Sequence, residues 1–218
     1  YADTIKNAHN IYEGFHYSTN SLLSSFNKVV SNIPITLLKE HYRCAPDIIG
    51  FCNKMFYQNQ LIIMTENKQQ HLSVIKTVEG NHARKNPKGS GFYNQREIDE
   101  IRKLVATSTA TQVGIITPFR YQAQLIQDIM RDSEIEADTI HKFQGREKQT
   151  IVLSFVVNDL KKEEEHRNNH LYDFITNKEL LNVAISRAID RVIVLVSDGI
   201  YHSKNNLIKD FIDYIEYT

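Results

Sequence analysis

Two short apolar runs, broken only by a small residue, constrain this chain more than any other feature. Residues 151–157 read Ile-Val-Leu-Ser-Phe-Val-Val, and residues 192–196 read Val-Ile-Val-Leu-Val. A strand with one face in water alternates polar and apolar side chains. A strand without polar alternates is buried on both faces, which is the habit of parallel sheets. Covering both faces takes a layer of helices above and another below, so the runs predict a three-layer, mostly parallel α/β sheet. Neither run is long enough to span a bilayer.

The stretches between supply the helices. Behind Pro46, a residue suited to a first helical turn, Ile48, Ile49, Cys52, Met55 and Phe56 recur at helical spacing. Ile98, Ile101, Leu104 and Val105 mark a second amphipathic helix, and Leu125, Ile126, Ile129 and Met130 a third. Further helices are expected over 178–188 and 207–215, and further strands over 35–38, 72–78, 113–116 and 137–140. The stretch 79–91, rich in Gly, Asn, Lys and Pro, predicts a loop. Residues 1–34 are polar and aromatic, with a weak stripe through Leu22, Leu23, Phe26, Val29 and Val30. The expected organisation is an N-terminal extension or linker over 1–34 and one α/β domain over 35–218.

Composition narrows the function classes. Lys plus Arg and Asp plus Glu each number 26 in 218 residues, so formal charge is zero. Bulk positive charge therefore cannot be the means of binding nucleic acid, although a local basic groove remains open. Two cysteines, Cys44 and Cys52, support neither a disulfide framework nor a four-ligand zinc site. A reducing, cytoplasmic setting is expected. The chain starts Tyr-Ala-Asp-Thr, with no signal-peptide pattern and no initiator methionine, which leads us to expect a piece of a longer protein.

Three stretches carry candidate chemistry. Phe143-Gln144-Gly145-Arg146-Glu147-Lys148 places a glycine among polar residues between two strands, where exposed backbone amides, a forked guanidinium and a carboxylate suit a phosphorylated ligand. Leu181-Asn182-Val183-Ala184-Ile185-Ser186-Arg187-Ala188 sets Arg187 on a helix entering the next strand, a place from which a guanidinium can neutralise phosphoryl charge. In His41-Tyr42-Arg43-Cys44-Ala45-Pro46, tyrosine offers a face for a base and arginine a fork for phosphate. Each of the three alone equally describes a solvated turn or a packed edge.

Their order and spacing say more. Tyr-Arg-x-x-Pro, Ile-Thr-Pro-Phe, Phe-Gln-Gly-Arg-Glu and Leu-Asn-Val-Ala-x-Ser-Arg-Ala follow one another as in one family. From Leu37 to Val196 the chain resembles the second RecA-like domain of superfamily 1 helicases, in the up-frameshift-like branch. The resemblance implies that Tyr42 stacks on adenine and that Arg43 reaches the ATP phosphates. It sets Gln144, Gly145 and Glu147 at the nucleotide and makes Arg187 an arginine finger. It gives Thr117, Pro118, Gln122, Thr139 and His141 to the backbone of single-stranded DNA or RNA. Glu179-Leu180 departs from the pattern, standing where members often carry basic residues.

None of the eight glycines is followed by lysine, so the sequence has no phosphate-binding P-loop of its own. Ile98-Asp99-Glu100-Ile101 looks like a magnesium-binding motif, yet its isoleucines fit a helix stripe and no apolar strand precedes it. The resemblance therefore implies that ATP and Mg2+ are shared with a first RecA-like domain of the same protein, which supplies the metal ligands. His166 and His170, four apart beside a solvated charge run, make no zinc site, and no metal is assigned. A non-catalytic module that keeps the fold as a nucleic-acid- or protein-binding platform is the alternative.

Overall fold

The computed structural model describes residues 2–66, 70–80, 82–107, 112–131, 133, 135–158, 177–203 and 206–218. The expectations for the charged run at 161–167 and for His166 and His170 lie outside these residues. Two compact units divide the chain, Tyr1–Leu38 and Lys39–Thr218. In the first, helix α1 (Ala2–His9) is followed by α2 (Leu22–Val29), which Ser21 caps by accepting the Ser24 N–H at 3.2 Å. The stripe read from the sequence does form a helix, but Leu22 and Leu23 stay more than 70% exposed at 77% and 72%.

The second unit runs β1 (Glu40–His41), α3 (Pro46–Phe56), β2 (Ile62–Ile63), β3 (Leu72–Lys76), β4 (Ala83–Lys85), β5 (Phe92–Asn94) and α4 (Gln95–Thr107). It continues through β6 (Val113–Thr117), α5 (Arg120–Ile129), β7 (Glu136–Thr139), α6 (Ile140–Phe143) and β8 (Lys148–Ser154). It closes with α7 (Lys178–Ile185), β9 (Ala188–Val196), α8 (Asp198–Tyr201) and α9 (Leu207–Tyr217). Five strands form one sheet in the order β3-β9-β8-β6-β7, every neighbouring pair parallel.

The two apolar runs lie mainly in β8 and β9, at the middle of that sheet. Ile151, Leu153, Val192, Val194 and Val196 point to one face, where α3, α7 and α9 bring Ile48, Phe51, Leu181, Ile185 and Phe211. Val152, Ile193 and Leu195 point to the other, against Ile98 and Ile101 of α4 and Ile126 of α5. Each such side chain contributes about 1.5–3 kcal/mol when fully buried. Both faces being covered is why no polar alternates occur.

Three expectations change. Residues 35–38 form no strand: Ile35 and Leu38 are 73% and 85% exposed, and the ladder starts instead at Glu40, opposite Ile62. A mostly apolar segment without a partner strand gains no ladder bonds. The stretch 79–91 is not wholly loop, because β4 pairs antiparallel with β5, Lys85 opposite Phe92. The helix expected to reach 188 stops at Ile185, so Arg187 sits in the tight turn between α7 and β9.

Candidate functional site

The three motif stretches meet at the start of β8 and β9. Arg43 donates from one terminal nitrogen to the Ser186 carbonyl at 2.7 Å, across 143 positions of sequence, and from the other to Glu147 at 3.4 Å, across 104. Parallel pairing sets Lys148 beside Ala188, and the Lys148 N–H donates to the Arg187 carbonyl at 3.1 Å. Arg187 itself is braced by long bonds from its side chain to the Val183 and Arg146 carbonyls, 3.4 and 3.5 Å. Partial burial, and next the Arg43 guanidinium, push its pKa below the ordinary arginine value.

Gly145 turns the chain here with φ +81°, and nothing lies within 4 Å of where a Cβ would stand. Gln144, Gly145 and Glu147 are exposed around it. Tyr42 is 64% exposed, its hydroxyl donating to Glu40. The Cys44 N–H is held by the His41 ring at 2.9 Å, and Cys44 and Cys52 are fully buried packing residues. Burial pushes both thiols up, away from reactivity.

A second set gathers at the opposite end of the sheet, where β6 and β7 finish side by side with Thr117 opposite Thr139. Pro118, Thr139 and His141 line a cleft of about 350 Å³ together with Ser90, Gly91 and Tyr121. Helix α6 and the Gly145 turn connect this cleft to the first cluster. Two of the expected nucleic-acid contacts are corrected: Thr117 and Gln122 are completely buried and present no surface to a strand. The reason is visible in their surroundings. Thr117 continues the buried strand β6, and Gln122 is drawn inward by polar partners.

Those partners include a carboxylate that the sequence did not single out. Glu97, in the first turn of α4, is fully buried. It accepts from the Ser154 hydroxyl at 2.6 Å and from the Val156 N–H at 2.9 and 3.0 Å. Gln122 donates to Ser154 at 2.6 Å and accepts the Asn94 N–H at 2.6 Å, so the network ties β5, α4, α5 and the end of β8 together. Val156 has φ +75°, costly for a β-branched residue, and its N–H is what Glu97 holds. Burial pushes the Glu97 carboxyl up to about 7 against the opposing bonds from Ser154 and Val156. A signal was present: Glu97 precedes Ile98 by one and Ile101 by four, on the buried stripe.

Among the described residues, no group of three or more His, Cys, Asp or Glu could hold a metal ion, and no helix is long and apolar enough to cross a membrane. A five-stranded parallel sheet wrapped on both faces, with paired arginines at a glycine turn, defines the class as a RecA-like α/β domain. The chain belongs to the AAA domain family, whose model matches residues 19–198. It is 25% identical over 202 residues to an uncharacterized ATP-dependent helicase of Methanocaldococcus jannaschii, covering 80% of this chain and 29% of that one. It is 28% identical over 171 residues to the DNA replication ATP-dependent helicase/nuclease DNA2 of Gallus gallus, covering 74% and 16%. It is 26% identical over 193 residues to the ATP-dependent helicase upf1 of Schizosaccharomyces pombe, covering 77% and 20%. These matches bear out the resemblance to superfamily 1 helicases of the up-frameshift-like branch. The chain spans less than a third of the length of these relatives.

Proposed function

We propose that this chain is the C-terminal motor domain of an ATP-dependent DNA or RNA helicase or translocase. Residues 35–218 are the second RecA-like domain in this reading, and residues 1–34 an extension. ATP and Mg2+ lie between it and a first RecA-like domain of the same protein, which brings the P-loop and the metal ligands. Both cysteines are free thiols, in keeping with a reducing cytoplasmic setting.

The observation that carries this reading is the convergence of Arg43, Glu147 and Arg187 from three distant motifs. Two guanidiniums beside an open glycine turn fit a polyphosphate, and the exposed Tyr42 ring fits a purine. ATP supplies the phosphoryl group that is transferred to water. Arg43 and Arg187 neutralise charge on the phosphates, and Arg187 acts mainly as that charge redistributes in the transition state. Glu147 holds Arg43 in place and accepts from ribose hydroxyls or bound water. Single-stranded DNA or RNA crosses the cleft at Pro118, Thr139 and His141.

Arg187→Ala in the full-length gene product tests the proposal. Steady-state ATP turnover should fall by about three to five powers of ten while oligonucleotide affinity stays near wild type. Wild-type turnover in that variant would make Arg187 an ordinary turn residue and favour the non-catalytic binding module.

A further inference from the structure

The hairpin β4–β5 belongs to none of the helicase-like motifs, yet Ser90 and Gly91 at its turn line the cleft. From 80 to 96 the chain carries Arg84, Lys85, Lys88 and Arg96 and no acidic residue, although over the whole chain the charges balance at 26 against 26. Arg84, Lys85 and Lys88 are exposed. Asn86 pins the tip from both sides: its N–H donates to the Gly91 carbonyl at 2.9 Å and its side-chain amide to Ser90 at 3.0 Å. Its side-chain oxygen accepts the Lys88 N–H at 2.9 Å. These bonds fix the backbone of the tip from which Lys88 projects.

The base of the hairpin is anchored to the cleft floor. Phe92 packs on Phe119 with ring centroids 5.5 Å apart, and Tyr93 meets Tyr121 edge-on at 5.6 Å. Gly91 turns the chain with φ +97°, a backbone conformation that other residues rarely adopt. Ser90 and Gly91 thereby form one wall of the cleft whose other wall is Pro118, Thr139 and His141, with exposed Arg120 between.

We propose that the β4–β5 hairpin grips the sugar-phosphate backbone of a single nucleic-acid strand lying in this cleft, through Lys85, Lys88 and Arg120. The proposal rests on the nucleic-acid reading above and adds a wall to that site. A polyanion is the occupant because the exposed Lys85 and Lys88 stand on the same acid-free hairpin whose Ser90 and Gly91 line the cleft, with the exposed Arg120 also in its lining. Stacking and phosphate contacts are the two means by which single strands are held without sequence preference.

The test is binding of labelled oligothymidylate and oligouridylate to the full-length gene product, by fluorescence anisotropy across a KCl series. Each lost phosphate contact lowers the slope of log affinity against log salt by about 0.7 for a single strand, so Lys85→Gln/Lys88→Gln should lower it by about 1.4. Lys85→Arg/Lys88→Arg should keep the wild-type slope. Both positions are exposed, and an unchanged thermal midpoint verifies the fold; Lys88→Gln alone, with a loss of about 0.7, serves if the double variant is destabilised. An unchanged slope in the glutamine variants, with binding still weakened by Thr139→Ala, overturns the hairpin's role and leaves the cleft. No binding of either oligonucleotide by the wild-type protein overturns both.

Discussion

At the residue scale, Glu97 concentrates the conflict between charge and burial. A carboxylate removed from water pays a desolvation cost that its bonds from Ser154 and Val156 offset only in part, which is why its pKa rises from 4.5 to about 7. The fold therefore favours the neutral acid. Stability from this group is fully present below 4.5 and is lost as pH rises through about 7. Glu97→Gln keeps the shape and stays neutral, so urea midpoints measured between about pH 5 and about pH 8 should fall less steeply in the variant than in wild type. An identical pH dependence in both proteins would show that Glu97 is not the titrating group.

At the scale of elements, two glycines separate packing from conformation. A Cβ on Gly114 in β6 would stand 2.9 Å from Ile151, Lys148 and Phe143 side-chain atoms, so α6 can reach the sheet only because that position is bare. Gly114→Ala should destabilise by about 1–3 kcal/mol through overpacking. Gly145 meets no neighbour but has φ +81°, so Gly145→Ala should cost about 1–2 kcal/mol through backbone strain. Repacking differs between them. A second substitution that shortens Ile151 to Val should recover part of the loss at 114 and none at 145, as read by urea denaturation. Equal recovery at both sites would refute the distinction.

At the scale of the whole molecule, the wall that this chain offers to the proposed nucleotide site is one of cations and an open turn, without a P-loop. The 218-residue chain alone should therefore bind ATP weakly and turn none over. Magnesium-dependent ATP turnover by the rigorously purified chain, abolished by Arg187→Ala, would refute the shared-site model.

The sequence by itself determined the layered parallel sheet, because apolar runs such as 192–196 have no low-energy alternative to burial on both faces. It also determined the family, through four motifs in a characteristic order and spacing. It could not determine where short segments pair. Ile35 and Leu38 look as strand-like as Val113, and only the presence or absence of a neighbouring ladder separates them. Nor could it separate surface from interior among polar residues at the cleft. Gln122 and His141 are equally polar in the sequence, yet Gln122 is buried because Glu97, Ser154 and Asn94 satisfy its amide, while His141 stands in the open. The meeting of Arg43 with Ser186 and Glu147 was likewise decided by the tertiary structure. Contacts across more than a hundred positions exist only once parallel pairing of β8 and β9 has brought their starts together.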